Sequence, residues 1–278
     1  MLHGDRGVGK TSTARLIAKA LNCTEKKDGD VEPCNSCSNC KSIQLGRHVD
    51  VIEMDGASKT GVNDIREIIE TVVYRAASAK FKIYIIDEVH MLSNSAFNAL
   101  LKTLEEPPEH VKFIFATTEI KKIPLTIFSR VNRFDLKRLD SNVLTSHLQK
   151  ILKREGLSAE KEALQTISRE AGGSVRDALS ILDQVLVNCE TKIENQMVNE
   201  LLGKISKSET LYLLELIIEG KTKEVLKKLR EYIAGNTSPA LLLQELLECL
   251  HFISISSLMD NELIGDDYSL FNLDYFVI

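Results

Sequence analysis

Gly4-Asp5-Arg6-Gly7-Val8-Gly9-Lys10-Thr11 fits G-x-x-x-x-G-K-[ST] at every fixed position. The glycines let backbone amides curl around phosphate oxygens; Lys10 can then reach the β and γ phosphates, and the Thr11 hydroxyl can ligate Mg2+. The next segment, Ser12–Leu21, is helical in pattern, so its N-terminus adds amides and a favourable dipole for the same anion. Gly4, Gly7, Gly9, Lys10, Thr11 and Ser12 are therefore the candidate nucleotide-binding residues. A glycine-rich turn that matches by chance is the bland alternative.

A second constellation lies downstream. Lys82-Ile83-Tyr84-Ile85-Ile86-Asp87-Glu88 is an apolar run ending in two acids. In an open α/β sheet the carboxyl end of such a strand opens on the binding crevice. Asp87 would hold Mg2+, directly or through water, and Glu88 would orient the attacking water. Solvated acids at a strand end are the alternative.

Cys23, Cys34, Cys37 and Cys40 give C-x10-C-x2-C-x2-C, four of the chain's six cysteines. Four thiolates at this spacing can close a tetrahedral zinc site of the structural kind. Asp, Gly, Pro, Asn and Ser dominate residues 28–39, so metal would supply the folding energy of a loop with little core. Disulfides or free thiols are the rival, disfavoured in an intracellular chain. Cys189 and Cys249 read as small buried hydrophobes. His48, His90 and His110 read as capping or solvated groups at loop ends, His251 as a helix-packing residue, and none as a metal ligand.

These residues need a scaffold, and the pattern provides one. Val49–Met54, Phe81–Ile86 and Val111–Ala116 are short, β-branched or aromatic strand candidates, with helices expected over Gly61–Val73 and Ser93–Glu106. Pro107-Pro108 stops the second helix. From about Asp140 the strand signals cease. Helices are expected over Ser141–Arg154, Ala159–Ala171, Ser174–Val187 and Gln196–Leu202, then Ser208–Ile218, Thr222–Ile233 and Pro239–Met259. Gly172-Gly173 is a helix stop, and Ser174-x-x-Asp177 a capping box for the helix after it.

Composition sets the limits. With 278 residues, 44% hydrophobic and 27% charged, the chain can bury real cores, which excludes disorder or a fibrous repeat as a whole-chain reading. No apolar run approaches the roughly 18–20 residues of a membrane span. The glycine-crowded N-terminus is no signal peptide, so a cytoplasmic protein is expected. Residues 1–138 carry 21 Lys+Arg against 18 Asp+Glu, and residues 139–278 carry 14 against 22. A mildly basic first part can face an anion; the acidic remainder argues against nucleic acid wrapping the whole chain.

With these residues placed, the chain closely resembles the gamma/tau subunits of bacterial DNA polymerase III clamp loaders, which are AAA+ ATPases. The stretches HGDRGVGKTSTARLIAKALNC, IDEVHMLSNSAFNALLKTLEEPPEHVKF and GGSVRDALSILDQ carry the likeness, with the four cysteines between the first two. It is strong over residues 2–205 and looser beyond, and zinc just after the phosphate-loop helix is a mark of the family. The resemblance implies an α/β AAA+ P-loop domain with a parallel sheet and a zinc insertion at 23–40, over residues 1–138. A helical lid over 139–203 and a helical collar over 204–278, for oligomerisation, would follow.

Several roles are implied only by this resemblance. Thr118 matches the sensor-1 position. Arg130 of Ser129-Arg130 matches the arginine that reaches into the neighbouring subunit's ATP, although Val131 replaces the family's cysteine. Arg176 matches sensor 2. Lys59 and Lys102 match places that follow the DNA phosphate backbone, a contact sensitive to salt rather than to sequence. The implied partners are other clamp-loader subunits in a hetero-pentamer, the sliding clamp, primer–template DNA and the DNA polymerase III core, with no membrane. ATP, Mg2+ and Zn2+ are the implied cofactors, and polymerase association would come from the holoenzyme. A non-hydrolysing AAA+ scaffold and another AAA+ remodelling ATPase are the competing readings.

Only Met1–His3 precede Gly4, against the five or six residues of an ordinary strand. The expectation is a start inside a longer chain, with the strand feeding the phosphate loop incomplete and the collar shortened.

Overall fold

Alternation is the key to the sheet. In β3 (Lys82–Asp87), Ile83 and Ile85 turn to one face while Tyr84 and Ile86 turn to the other, and all four are fully buried. A strand covered on both faces belongs in the middle of a helix-flanked parallel sheet. The computed structural model, which describes residues 1–26, 31–58, 60–187, 189, 192–203, 207–234 and 237–258, shows that arrangement. β1 (Leu2–His3), β2 (Val51–Asp55), β3, β4 (Val111–Thr117) and β5 (Phe134–Asp135) form a parallel sheet in the order β2-β3-β4-β1-β5. Short as it is, β1 is paired on both sides: Leu2 faces Ala116 and Phe134, and His3 faces Thr117 and Asp135.

One face is covered by α1 (Lys10–Asn22), whose Ala14 and Ala18 lie one turn apart and are wholly buried. Small residues there let the helix approach Leu2, Ile83, Ile85, Ile114 and Ala116 closely. Ile43 joins this core from α2 (Ser38–Gln44), a helix inside the cysteine segment that the composition of residues 28–39 concealed. On the other face lie α3 (Val62–Val72) and α4 (Asn94–Glu105), bringing Ile65, Ala96, Phe97 and Leu100 against Ile86 and Phe115. Each buried Ile, Leu or Phe side chain there contributes about 1.5–3 kcal/mol. Ser93 caps α4 by accepting from the Ala96 amide at 3.2 Å. β2 begins at Val51, not Val49, because Asp50 is turned away to accept the amides of Ala77, Ser78 and Ala79.

Beyond β4 come the short α5 (Leu125–Phe128), then α6 (Ser141–Glu155), β6 (Ser158–Ala159), α7 (Lys161–Glu170), α8 (Val175–Val187), β7 (Lys192–Ile193) and α9 (Asn195–Leu201). β6 and β7 pair in parallel, so the helix expected from Ala159 starts at Lys161. A two-residue bridge is too short to leave an alternating pattern. Last are α10 (Lys207–Ile218), α11 (Thr222–Ala234) and α12 (Pro239–Leu258). Leu213 and Leu242 form their core with Val225, Leu229, Tyr232 and Leu246, while Ile217, Ile218, Leu226, Ile233, Leu243 and Leu247 stay exposed. By contacts the chain divides into two units: Met1–Leu148 with Ser168–Ile181, and Gln149–Ile167 with Leu182–Ile278. Among the described residues no helix is long and apolar enough to cross a membrane.

Candidate nucleotide site and four-cysteine cluster

The phosphate loop runs from β1 into α1 at the carboxyl edge of the sheet, and its shape depends on glycine. Gly7 and Gly9 adopt φ of 79° and 92°, in the left-handed region. A Cβ on Gly4 would stand 2.4 Å from the Leu136 carbonyl oxygen. Gly9 precedes α1 as its N-cap with no side-chain cap and no acid in the first turn, so among the described residues no side chain caps the helix's first amides. That is a good fit to a phosphate. Lys10 is 6% exposed, and its Nζ donates to the Gly4 and Asp5 carbonyls, both at 3.0 Å.

The two oxygen ligands expected for Mg2+ are in contact: Thr11 Oγ1 donates to Asp87 Oδ2 at the end of β3. Next to Asp87, Glu88 Oε2 accepts from the Thr118 hydroxyl at 3.0 Å and the Thr118 amide at 3.2 Å. Lys10, Thr11, Asp87, Glu88 and Thr118 thus gather along adjoining strand ends. Arg176, in the N-terminal turn of α8, lies against the phosphate loop at Gly7. Its amide and that of Val175 approach Gly7 O at 3.4 and 3.1 Å, and its exposed guanidinium has no ion-pair partner among the described residues. Ser174 opens α8 by accepting from the Asp177 amide at 3.2 Å. Arg138, which the sequence did not single out, donates to Asp5 Oδ2 and the Gly172 carbonyl, both at 2.7 Å, bridging the phosphate loop and the turn before α8. Its guanidinium holds the Asp5 carboxyl below the usual carboxylate range, first by hydrogen bonding and then by charge.

Arg130 stands apart from this group. It is engaged by Glu105, the Thr126 carbonyl and Ser129 Oγ, none of which belongs to the phosphate loop or the β3 end. Lys102 lies exposed in the last turn of α4. Lys59 lies outside the described residues. Two histidine readings need correction. His90 is neither solvated nor at a loop end but 6% exposed, with Nδ1 3.3 Å from Glu88 Oε2; His251 is on α12 but exposed. The signal for His90 was its place two residues after Glu88.

At the far end of α1 the sulfurs of Cys23, Cys34, Cys37 and Cys40 all lie within 4.8 Å of one another. Zn–S bonds of about 2.3 Å would set tetrahedral sulfurs about 3.8 Å apart, so the cluster fits one ion. Cys23 ends α1, Cys37 caps α2 and Cys40 lies in its first turn. Amides point at the sulfurs: Cys34 N to Cys23, Ser36 N and Cys37 N to Cys34, and Cys40 N to Cys37, at 3.3–3.4 Å. Such donors favour thiolates. Burial opposes ionisation of Cys37, but amides of Cys40 and Thr24 pull its pKa down to about 5; burial and the neighbouring thiols push Cys40 up to about 12. Asn39 donates to the Asn22 carbonyl, and Asn22 pairs with both backbone groups of Phe81, tying the cluster to the sheet.

Fold and site together define an AAA+ nucleotide-binding module. Thermotoga maritima RuvB, a Holliday junction branch migration motor, superposes with a TM-score of 0.52 over 88% of this chain and 78% of that one, at 17% identity, a likeness of fold alone. Residues 1–140 match the model for "DNA polymerase III, delta subunit", 143–191 that for a DNA polymerase III clamp loader subunit ATPase lid domain, and 193–268 that for domain III of DNA polymerase III subunits gamma and tau. The chain is 45% identical to Escherichia coli DNA polymerase III subunit tau over 98% of its own length, though it spans only 42% of that protein. It is 38% identical to subunit gamma of Buchnera aphidicola subsp. Baizongia pistaciae, covering 96% of this chain and 71% of the relative. The chain belongs to the gamma/tau family of bacterial DNA polymerase III subunits.

Proposed function

We propose that this chain is an ATP-hydrolysing clamp-loader subunit, acting in the cytoplasm to place a sliding clamp on primed DNA. The observation that carries the reading is the convergence of Lys10, Thr11, Asp87, Glu88 and Thr118 at the carboxyl edge of the sheet, with the backbone of Arg176 against the phosphate loop at Gly7. Lys10 exchanges its loop carbonyls for phosphate oxygens, and the uncapped amides of α1 hold the rest of the anion. Thr11 and Asp87 are the residues that would hold magnesium, which would supply positive charge against the phosphates. Glu88 orients the attacking water, and Thr118, one hydrogen bond away, senses the γ-phosphate. Arg176 reaches the same nucleotide. Arg130 serves a neighbouring subunit's nucleotide, so hydrolysis depends on assembly.

Cys23, Cys34, Cys37 and Cys40 hold a structural zinc that supplies folding energy and no catalysis. Lys59 and Lys102 follow the DNA backbone. Domains over 1–138, 139–203 and 204–278 serve as motor, lid and collar; the exposed apolar residues of α10–α12 supply a surface for neighbouring subunits, and the polymerase core joins through the complex. The test is ATP hydrolysis by the reconstituted complex with and without clamp and primed DNA. Stimulation by the two together is expected; its absence would sink the clamp-loader reading in favour of another AAA+ remodeller.

A further inference from the structure

Glu88 is held in place from several sides. Its backbone is left-handed, φ 44°, which is uncommon for a residue with a side chain and fixes the direction in which the carboxylate leaves β3. Oε2 takes the Thr118 amide and hydroxyl and lies 3.3 Å from His90 Nδ1; among the described residues no hydrogen bond engages Oε1. His90 sits in the 3-10 turn Val89–Met91, its side chain almost fully buried. Nδ1 is also 3.0 Å from Thr117 Oγ1 on β4, and Nε2 is 3.4 Å from Glu119 Oε1. Glu119 in turn accepts from Lys122 at 2.9 Å in the exposed turn Ile120–Lys122. A polar chain, Lys122–Glu119–His90–Glu88, therefore runs from a surface turn to the carboxylate. The same turn continues through Pro124 and α5 into Ser129-Arg130.

We propose that His90 is a positioning residue for Glu88, coupling the aim of that carboxylate to the 119–130 segment through Glu119. The inference rests on the reading of Glu88 as the group that orients water. Imidazole suits the task because its two nitrogens face opposite sides: the neutral ring donates to one carboxylate, the imidazolium to both. Holding Oε2 against β4 leaves Oε1 for the water. A shift of the 119–130 segment on subunit contact moves Glu119, and with it the ring that aims Glu88. A buried histidine that merely satisfies its own hydrogen bonds would affect stability alone.

The experiment uses the complex assembled with the full-length chain carrying His90→Ala, His90→Asn, which keeps an amide on the Nδ1 side, or Glu119→Gln. Steady-state hydrolysis is read beside affinity for a fluorescent ATP analogue and the melting temperature. His90→Ala should lower kcat about 10- to 100-fold, the loss expected of a misaimed catalytic group, with KM and analogue affinity near wild type. His90→Asn should recover most of the rate, and Glu119→Gln should fall between. Unchanged kcat in His90→Ala overturns the proposal. So does a joint fall in kcat, analogue affinity and melting temperature with Asn no better than Ala. Because the readout is hydrolysis itself, a wild-type complex that clamp and DNA fail to stimulate counts against the clamp-loader reading alone.

Discussion

Replacing Gly7 with alanine places one methyl group where the phosphate loop meets the start of α8. The added Cβ would stand 1.9 Å from Ser174 Oγ and 3.0 Å from Ser174 Cβ, on a residue whose φ is 79°. Left-handed backbone costs an L-residue about 1–2 kcal/mol. The Ser174 hydroxyl can swing aside, but that breaks its cap bond to the Asp177 amide, a loss of about 1 kcal/mol. Together these give about 2–3 kcal/mol, which lowers the melting temperature of the nucleotide-free chain by about 4–12 °C. Gly9→Ala meets nothing within 4 Å and bears only the backbone cost at φ 92°, so it should melt higher than Gly7→Ala. Ser174→Gly alone costs a few tenths of a kcal/mol and removes the group that the methyl strikes. The double variant should therefore be more stable than the sum of the single effects by about 1 kcal/mol, measured in one thermal-melt cycle. Strict additivity, or a Gly7→Ala no worse than Gly9→Ala, would refute this picture of the loop held against α8.

The other expectations concern sites around the loop. Cys37→Ser should reduce bound zinc from one per chain and expose residues 23–44 to proteolysis; wild-type protein with reduced thiols and substoichiometric zinc would contradict the metal assignment. On the proposed role of Arg130 as an arginine finger, Arg130→Ala should lower hydrolysis by the assembled complex about 10³–10⁵-fold. Glu105→Gln frees Arg130 from a half-exposed pair worth at most about 1 kcal/mol, so it should raise that rate by no more than about 5-fold. At Asp50, burial alone would raise the carboxyl's pKa, but the amides of Ala77, Ser78 and Ala79 and the Ser78 hydroxyl more than offset it and hold it below its usual value. Its contribution is complete above about pH 5 and is lost as the pH falls through the depressed folded value. Asp50→Asn should cost about 1–3 kcal/mol at neutral pH and flatten the acid limb of the stability profile in urea titrations.

That Thr11 meets Asp87 and that the four cysteines cluster was legible in the sequence, because residue type and local spacing define those motifs. β3 and β4 were readable for a related reason, since their apolar runs lie bounded by charge and turns. Much less could be read where distant segments meet. Nothing local marks Glu105 as the partner of Arg130, 25 residues away, or Arg138 as the bridge from Asp5 to Gly172. α2 hides in a polar composition because it offers a single aliphatic side chain, Ile43, to the core. β5, β6 and β7 have two residues each, below the length at which alternation shows. His90 read as solvated because burial of a polar ring depends on Thr117 and Glu119, which β4 brings back from 27 and 29 residues on.

Clamp loading by a complex carrying Lys10→Ala in this subunit alone tests most directly whether its own nucleotide site drives the machine. Loading onto primed circular DNA should fall at least about 10-fold while the complex still assembles, since the ammonium held at the Gly4 and Asp5 carbonyls, which the proposed function turns to the β and γ phosphates, is gone. Loading at the wild-type rate would contradict the account and make this chain a scaffold that keeps the fold of a motor.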